Sequence, residues 1–301
     1  MSLQDQIQQV IDASGARMGV ALRHLESGEE VMIDADSYYV LASVFKTPVL
    51  VEAFFQLHDG RFGLDDRWPL ATADKNLPSG VLTFFEDGLT PSVRDLLTLM
   101  IIISDNTATD ILMKRLGKPA INQRMRALGL EHIHVPLTVR EIFEDLMPNA
   151  DPTQDLHDLE RESHRRGPQR GKRAYQLTPD NNVATPRDLT ALLGLIFAGQ
   201  VPDRAGGDGI LKIMLQQQLN ERLPRFLPPG TRVAHKTGTL SGIRNDSGIL
   251  YAREDSHVAL TVFTRWDDEA VWDDPRQAWK RIAAVDSALG EIGSLAYNAY
   301  R

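Results

Sequence analysis

Residues 42–48 read Ala42-Ser43-Val44-Phe45-Lys46-Thr47-Pro48 and run straight into the apolar stretch Val49-Leu50-Val51-Glu52-Ala53-Phe54-Phe55. A helix begun here reaches about His58, with Gly60 as its stop. Residues three apart share a helical face, with about 5–6 Å between Cβ atoms, so Ser43 and Lys46 lie side by side. A serine hydroxyl is a poor nucleophile at neutral pH and needs a base within hydrogen-bond reach. This spacing supplies an amine without help from the rest of the fold. Both residue types are common, so the weight of the pair depends on what accompanies it.

Upstream, residues 4–13 carry Ile7, Val10 and Ile11 on one side of a short amphipathic helix. Met18, Val20 and Leu22 alternate as in a strand, Glu26-Ser27-Gly28-Glu29 is a turn, and Glu30–Asp34 is the partner strand. Downstream, residues 61–200 are mostly helical. Thr90-Pro91-Ser92-Val93-Arg94-Asp95 opens a helix with proline at its first position, and the apolar body Leu96–Ile103 predicts burial on all sides. Gly117 and Gly129 close the next two helices. Thr185-Pro186-Arg187-Asp188 opens another, which ends near Gly199. One more helix follows residue 205. Thr231–Lys236, Asn245–Ala252 and His257–Trp266 then read as strands, and a last helix starts near Pro275.

Strands at both chain ends predict an α/β architecture. An antiparallel sheet from residues 1–40 and 205–301 is flanked by the terminal helices, with an all-α region, 41–204, inserted between its halves. Within that region, residues 149–182 form a polar, charge-dense insertion that includes Arg161, Arg165, Arg166, Arg170, Lys172 and Arg173. It reads as a solvated mobile loop, or alternatively as a lid or a docking patch for an anionic partner.

The chain has 301 residues, 42% hydrophobic and 25% charged, with a formal net charge of −8. That balance argues against general nucleic-acid binding, which neutralises phosphates with Lys and Arg. No apolar run approaches the roughly 18 residues of a membrane span. With no cysteine, disulfides, thiolate metal sites and Cys nucleophiles are excluded. The polar N-terminus has no signal-like apolar segment. As written the chain reads as cytoplasmic, or as periplasmic or secreted if a signal was removed. A monomer acting on a small molecule, with no metal or organic cofactor, is the expectation.

Two further motifs accompany the pair. Ser104-Asp105-Asn106-Thr107 sits where the apolar helix ends, and His235-Lys236-Thr237-Gly238-Thr239 sits at the end of a strand. Each alone reads as a helix cap or a turn. Together, in this order, Ser-x-x-Lys, Ser-Asp-Asn and Lys-Thr-Gly resemble the signature of class A β-lactamases and penicillin-binding proteins, the former most closely. The likeness extends through Asp87-Gly88-Leu89-Thr90, Arg94-Asp95-Leu96-Leu97 and Ala184-Thr185-Pro186-Arg187-Asp188-Leu189, and covers most of the chain outside 149–182.

The resemblance implies a serine hydrolase that opens lactam rings through an acyl-enzyme on Ser43. Lys46 is then the base, lowered in pKa by burial and by the nearby Lys236 cation. Ser104 relays the proton to the lactam nitrogen. Asn106 holds Lys46 and a substrate amide. Backbone N–H groups of Ser43 and Thr239 form the oxyanion hole. Lys236, Thr237 and Thr239 bind the substrate carboxylate, with Arg244 assisting. The family's Glu-x-x-Leu-Asn, whose glutamate activates the deacylating water, does not occur. Its place reads Thr138-Val139-Arg140-Glu141-Ile142-Phe143-Glu144-Asp145-Leu146-Met147. Glu141 is the first candidate and Glu144 the second, and both read equally as solvent-facing carboxylates. Two alternatives therefore stand: an esterase, amidase or D,D-peptidase using the same serine, or a β-lactam-binding protein that acylates without efficient turnover. His132, His134 and the acidic stretch from Trp266 to Asp274 read as structural or exposed. His235 points away from the site, on the opposite face of its strand from Lys236.

Overall fold

The computed structural model describes residues 1–77, 79–149, 158, 167–266 and 269–301. Helix α1 (Leu3–Ser14) starts at a Ser2–Asp5 capping box and ends at Gly15, whose φ of 64° is the left-handed conformation that glycine adopts without strain. Strands β1 (Arg17–His24), β2 (Glu30–Ile33), β6 (Val233–Leu240), β7 (Ile243–Arg253) and β8 (Ser256–Arg265) form an antiparallel sheet in the order β2-β1-β8-β7-β6. Both chain ends thus share one sheet. A small second sheet joins β3 (Tyr39–Val40), β5 (Val183–Ala184) and β4 (Ile133–His134), in that order.

The period of two along the central strands decides what covers each face. Met18, Val20 and Leu22 of β1, with Val258, Leu260 and Val262 of β8, pack with Ile7 and Ile11 of α1. They also meet Leu289 and Ile292 of the terminal helix α9 (Pro275–Tyr300). The intervening residues face the inserted helices. A Cβ on Gly19 would lie 2.5 Å from the Tyr39 ring and 2.8 Å from Pro186. Thr190 Oγ1, on α7 (Pro186–Phe197), donates to the Ala21 carbonyl at 3.1 Å. A sheet buried on both faces lets β7 and β8 be almost wholly apolar or internally hydrogen-bonded.

The inserted helices are α2 (Lys46–His58), α3 (Val93–Ile102), α4 (Asn106–Leu116), α5 (Lys118–Ala127), α6 (Val139–Leu146) and α7, followed by α8 (Arg204–Met214). Three expectations change. Pro91 does not open α3. Residues 67–70 hydrogen-bond to residues 89–91 in an extended pairing, so Ser92 becomes the cap, with Asp95 completing the box. Nor is α3 buried on all sides: Leu96, Leu97, Met100 and Ile101 are buried, while Thr98, Leu99 and Ile102 are half-buried. Finally, part of the 149–182 insertion is packed. Ala174 donates its N–H to Asp145 Oδ2 at 2.9 Å, and the buried Tyr175 donates its hydroxyl to the Ser241 carbonyl at 3.1 Å. Residues 150–157 and 159–166 of that insertion, and Asp267 and Asp268 of the acidic stretch, lie outside the described residues.

Candidate active site

Ser43 sits on a 3₁₀ turn, Ala42–Phe45, and α2 begins at Lys46 rather than at Ser43. In a 3₁₀ turn residues i and i+3 eclipse, which aligns Ser43 with Lys46 more closely than an α-helix would. The preceding Ala42 has φ 45°, a strained backbone for a residue with a Cβ, held by its surroundings. Two contacts from the sheet hold it. Asn245 Nδ2, on β7, donates to the Val40 and Leu41 carbonyls at 2.8 and 3.2 Å. On β6, Gly238 lies so close that a Cβ there would be 2.5 Å from the Leu41 oxygen and 3.1 Å from the Val44 nitrogen. Only glycine lets the strand approach this turn. Because β6 is an edge strand of the sheet, it borders the turn directly.

Ser43 remains half-exposed, whereas Lys46, Ser104 and Lys236 behind it are buried. Lys46 Nζ donates to the Ser104 carbonyl at 2.7 Å and to Asn106 Oδ1 at 2.7 Å, and lies 3.0 Å from Ser104 Oγ. Burial pulls Lys46 down to about 7, opposed by the carboxylates of Asp105 and Asp110. A neutral amine has two hydrogens, which the two acceptor-only oxygens take, and its lone pair is left to accept a proton. Ser104 has φ 59°, a second strained position. Buried Asp105 secures it from behind. One oxygen caps α4 through Ala108 N–H, and the other accepts from Val81 and Leu82 N–H at 2.6 and 2.9 Å. Asn106 Oδ1 accepts from Lys46, and one of its two amide hydrogens is committed to the Leu77 carbonyl at 3.0 Å.

Ser104 Oγ also lies 3.1 Å from Lys236 Nζ, which donates to the Thr237 carbonyl at 2.8 Å. Burial, then Lys46 and Arg222, push Lys236 well below the usual lysine range, opposed by Asp246. Ser104 therefore bridges two amines that resist being charged together. Thr239 is exposed at the end of β6, and its hydroxyl accepts from Arg222.

Arg222 is the arginine that sequence reasoning missed. It is buried, donates to the Gly238 and Asn245 carbonyls at 2.8 and 2.6 Å, and pairs with Asp286. Burial, then Arg244, bring it down to about 10, against Asp286 and Asp246. Nothing in Leu219-Asn220-Glu221-Arg222-Leu223-Pro224-Arg225 marks this guanidinium over its neighbour. The candidate Arg244 instead directs its Nε and Nη2 to Asp286, so it reaches the site's edge through a shared carboxylate.

Glu141 is not joined to Ser43 or Lys46 by any hydrogen bond. It is the third residue of α6, in a capping box with Thr138, and both its oxygens take hydrogen bonds from Lys118 Nζ at 2.7 Å. Burial raises its carboxyl, but Lys118 and the Thr138 N–H outweigh it and hold it below the usual range. Glu144 is exposed. Asp110 takes the next two N–H groups of α6, from Val139 and Arg140, at 2.8 and 2.9 Å. His132 and His134 contact Asp188 and Tyr38. Among the described residues no cluster of His, Cys, Asp or Glu is arranged to hold a metal.

The sequence profile described as "Beta-lactamase enzyme family" matches residues 2–300. The chain belongs to that family. Within it, the chain is 28% identical to beta-lactamase VEB-1 of Pseudomonas aeruginosa, over 85% of this chain and 80% of that one. It is 26% identical to the beta-lactamase regulatory protein BlaB of Streptomyces cacaoi, over 87% and 89%. A solved beta-lactamase from Sphaerobacter thermophilus superposes with a TM-score of 0.77 at 25% identity, covering 98% of this chain and 96% of its own. PBP-A shares the fold at a TM-score of 0.76 and 24% identity, covering 99% and 95%. Family membership thus joins the SxxK, SDN and KTG motifs to one fold, and that fold brings them together at Ser104.

Proposed function

We propose that the protein is a serine hydrolase of the β-lactamase type, acylated on Ser43 by β-lactams. The observation that carries this is the contrast at the site: a half-exposed serine in front of a buried relay, Lys46–Ser104–Lys236. Neutral Lys46 takes the Ser43 proton as Oγ bonds to the lactam carbonyl carbon. The oxyanion forms between the N–H groups of Ser43 and Thr239, and loss of one such donor costs about 10²–10³ in rate. The proton passes through Ser104 to the lactam nitrogen as the C–N bond breaks. Thr237, Thr239, Lys236 and Arg222 seat the substrate carboxylate. The relative VEB-1, a named beta-lactamase, supports this reading.

Intact-mass spectrometry after brief exposure to benzylpenicillin tests it. One added penicillin per chain is expected, and none in Ser43→Ala. Absence of the adduct, or its survival in the variant, sinks the proposal.

A second reading is supported by one observation, the tethering of Glu141 to Lys118 and to the start of α6. Without a water-activating carboxylate the acyl-enzyme persists, and the protein acts as a β-lactam receptor. The regulatory name of its relative BlaB fits that role. A chromogenic cephalosporin separates the two: one burst per enzyme marks the receptor, sustained turnover the hydrolase.

A further inference from the structure

Arg222 reaches past the Thr239 hydroxyl into the backbone behind the site. Its Nη1 has two hydrogens and donates to two carbonyls, Gly238 at 2.8 Å and Asn245 at 2.6 Å. These two residues face each other across the β6–β7 ladder. Arg222 is only 4% exposed and both partners are buried, so water does not compete for either bond.

Each carbonyl leads to one of the two oxyanion donors. The Gly238 carbonyl and the Thr239 N–H are the two ends of one planar peptide and point in opposite directions. Fixing the carbonyl therefore fixes the direction of the N–H. A charge-assisted bond to that carbonyl also polarises the peptide and strengthens its N–H as a donor. Asn245 is the second path. Its side-chain Nδ2 donates to the Val40 and Leu41 carbonyls, just before the turn that carries the Ser43 N–H. Its Oδ1 accepts from the Thr264 N–H on β8 at 2.8 Å, which locks the amide in place.

Arg222 is in turn held from outside the site. Its Nε donates to Asp286 Oδ1 on α9 at 3.2 Å, and the following N–H, of Leu223, donates to Asp246 Oδ2 at 3.1 Å. Gly293 on α9 lets this loop pack closely, since a Cβ there would lie 2.3 Å from the Leu223 carbonyl oxygen.

We infer that Arg222 is a positioning residue of the oxyanion hole. It fixes the Gly238–Thr239 peptide directly and the Ser43 turn through Asn245, so both N–H donors are held from one guanidinium. This rests on the reading of the Ser43 and Thr239 N–H groups as that hole, and it is separate from any part Arg222 has in seating the substrate carboxylate. In this role Arg222 touches no reacting atom.

Benzylpenicillin and its neutral methyl ester separate the two roles. Arg222→Gln is expected to slow Ser43 acylation by both about ten- to a hundredfold, less than the roughly 10²–10³ of losing a donor outright. The Kd of the methyl ester should stay unchanged, as it would not in a generally disordered site. A loss confined to benzylpenicillin leaves Arg222 with the carboxylate alone and overturns the inference. Arg222→Lys is the second variant. It keeps a cation but not the planar fork that spans two carbonyls, and should stay slow with the methyl ester. Recovery to the wild-type rate overturns the inference. Thermal unfolding shows whether each variant is folded, and the lysine variant is read alone if the glutamine variant is not. With no lactam present, the Thr239 amide nitrogen resonance should move in either variant, because it shares a peptide with the Gly238 carbonyl. An unmoved resonance also overturns the inference. Since that readout needs no substrate, failure of the wild type to react with penicillin counts against the functional reading alone.

Discussion

Lys46 is buried with a pKa near 7, so its charge changes where the protein is assayed. Only the neutral amine can accept the Ser43 proton. Acylation is therefore half-maximal near pH 7 and falls about tenfold per unit below it, as the fraction of neutral amine does. Stopped-flow acylation by benzylpenicillin from pH 5 to 8 reads this directly, and a flat profile would remove Lys46 as the base. Glu141 carries the opposite expectation. Glutamine preserves the capping box, and the half-exposed Lys118 pair contributes only about 0–1 kcal/mol. Glu141→Gln should leave acyl-enzyme decay within about twofold of wild type, as one expects of a helix cap. A drop of about a hundredfold would instead make Glu141 the base that activates water. At this scale Ser43, Lys46, Ser104 and Lys236 were legible in the sequence, because each is fixed by a short motif. Arg222 was not, because its importance comes from the Thr239 hydroxyl and Asp286 carboxylate it meets in space.

Among the elements, β6 and the Ser43 turn matter most. Their close approach requires Gly238, where any Cβ collides with the Leu41 carbonyl at 2.5 Å. Gly238→Ala should push the strand from the turn and separate the two oxyanion donors. Acylation is expected to fall at least about a hundredfold, while far-ultraviolet circular dichroism stays native. An active Gly238→Ala would show that the strand need not approach so closely. Helix boundaries tell a related story. The cap at Thr185 was readable from Thr-Pro-x-Asp, because the same residues that signal it also make its hydrogen bonds. The similar Thr90-Pro91 misled, because pairing between residues 67–70 and 89–91 pulls that proline into extended chain. A local signal holds until a distant segment claims the same backbone.

For the whole molecule, the sheet is closed by α9 on one face and by the inserted helices on the other, and the site lies where β6 meets the latter. Asp286 links the two, since it rises from α9 to pair with both Arg222 and Arg244. Asp286→Ala leaves a buried guanidinium without its anion and should cost about 3–5 kcal/mol in urea unfolding. Arg253→Ala, which breaks an exposed pair with Asp255, should cost about 0–1 kcal/mol. Equal losses would mean that burial does not govern these pairs. By itself the sequence determined the order of the main elements, the two-faced strands and the three motifs, because periodicity and short motifs are local properties of a chain. Only the tertiary structure decided which carboxylate serves which cation: Asp246 with His235, Asp286 with two arginines, Glu141 with Lys118. Charges act through distance and burial, and neither is written in the spacing of residues along the chain.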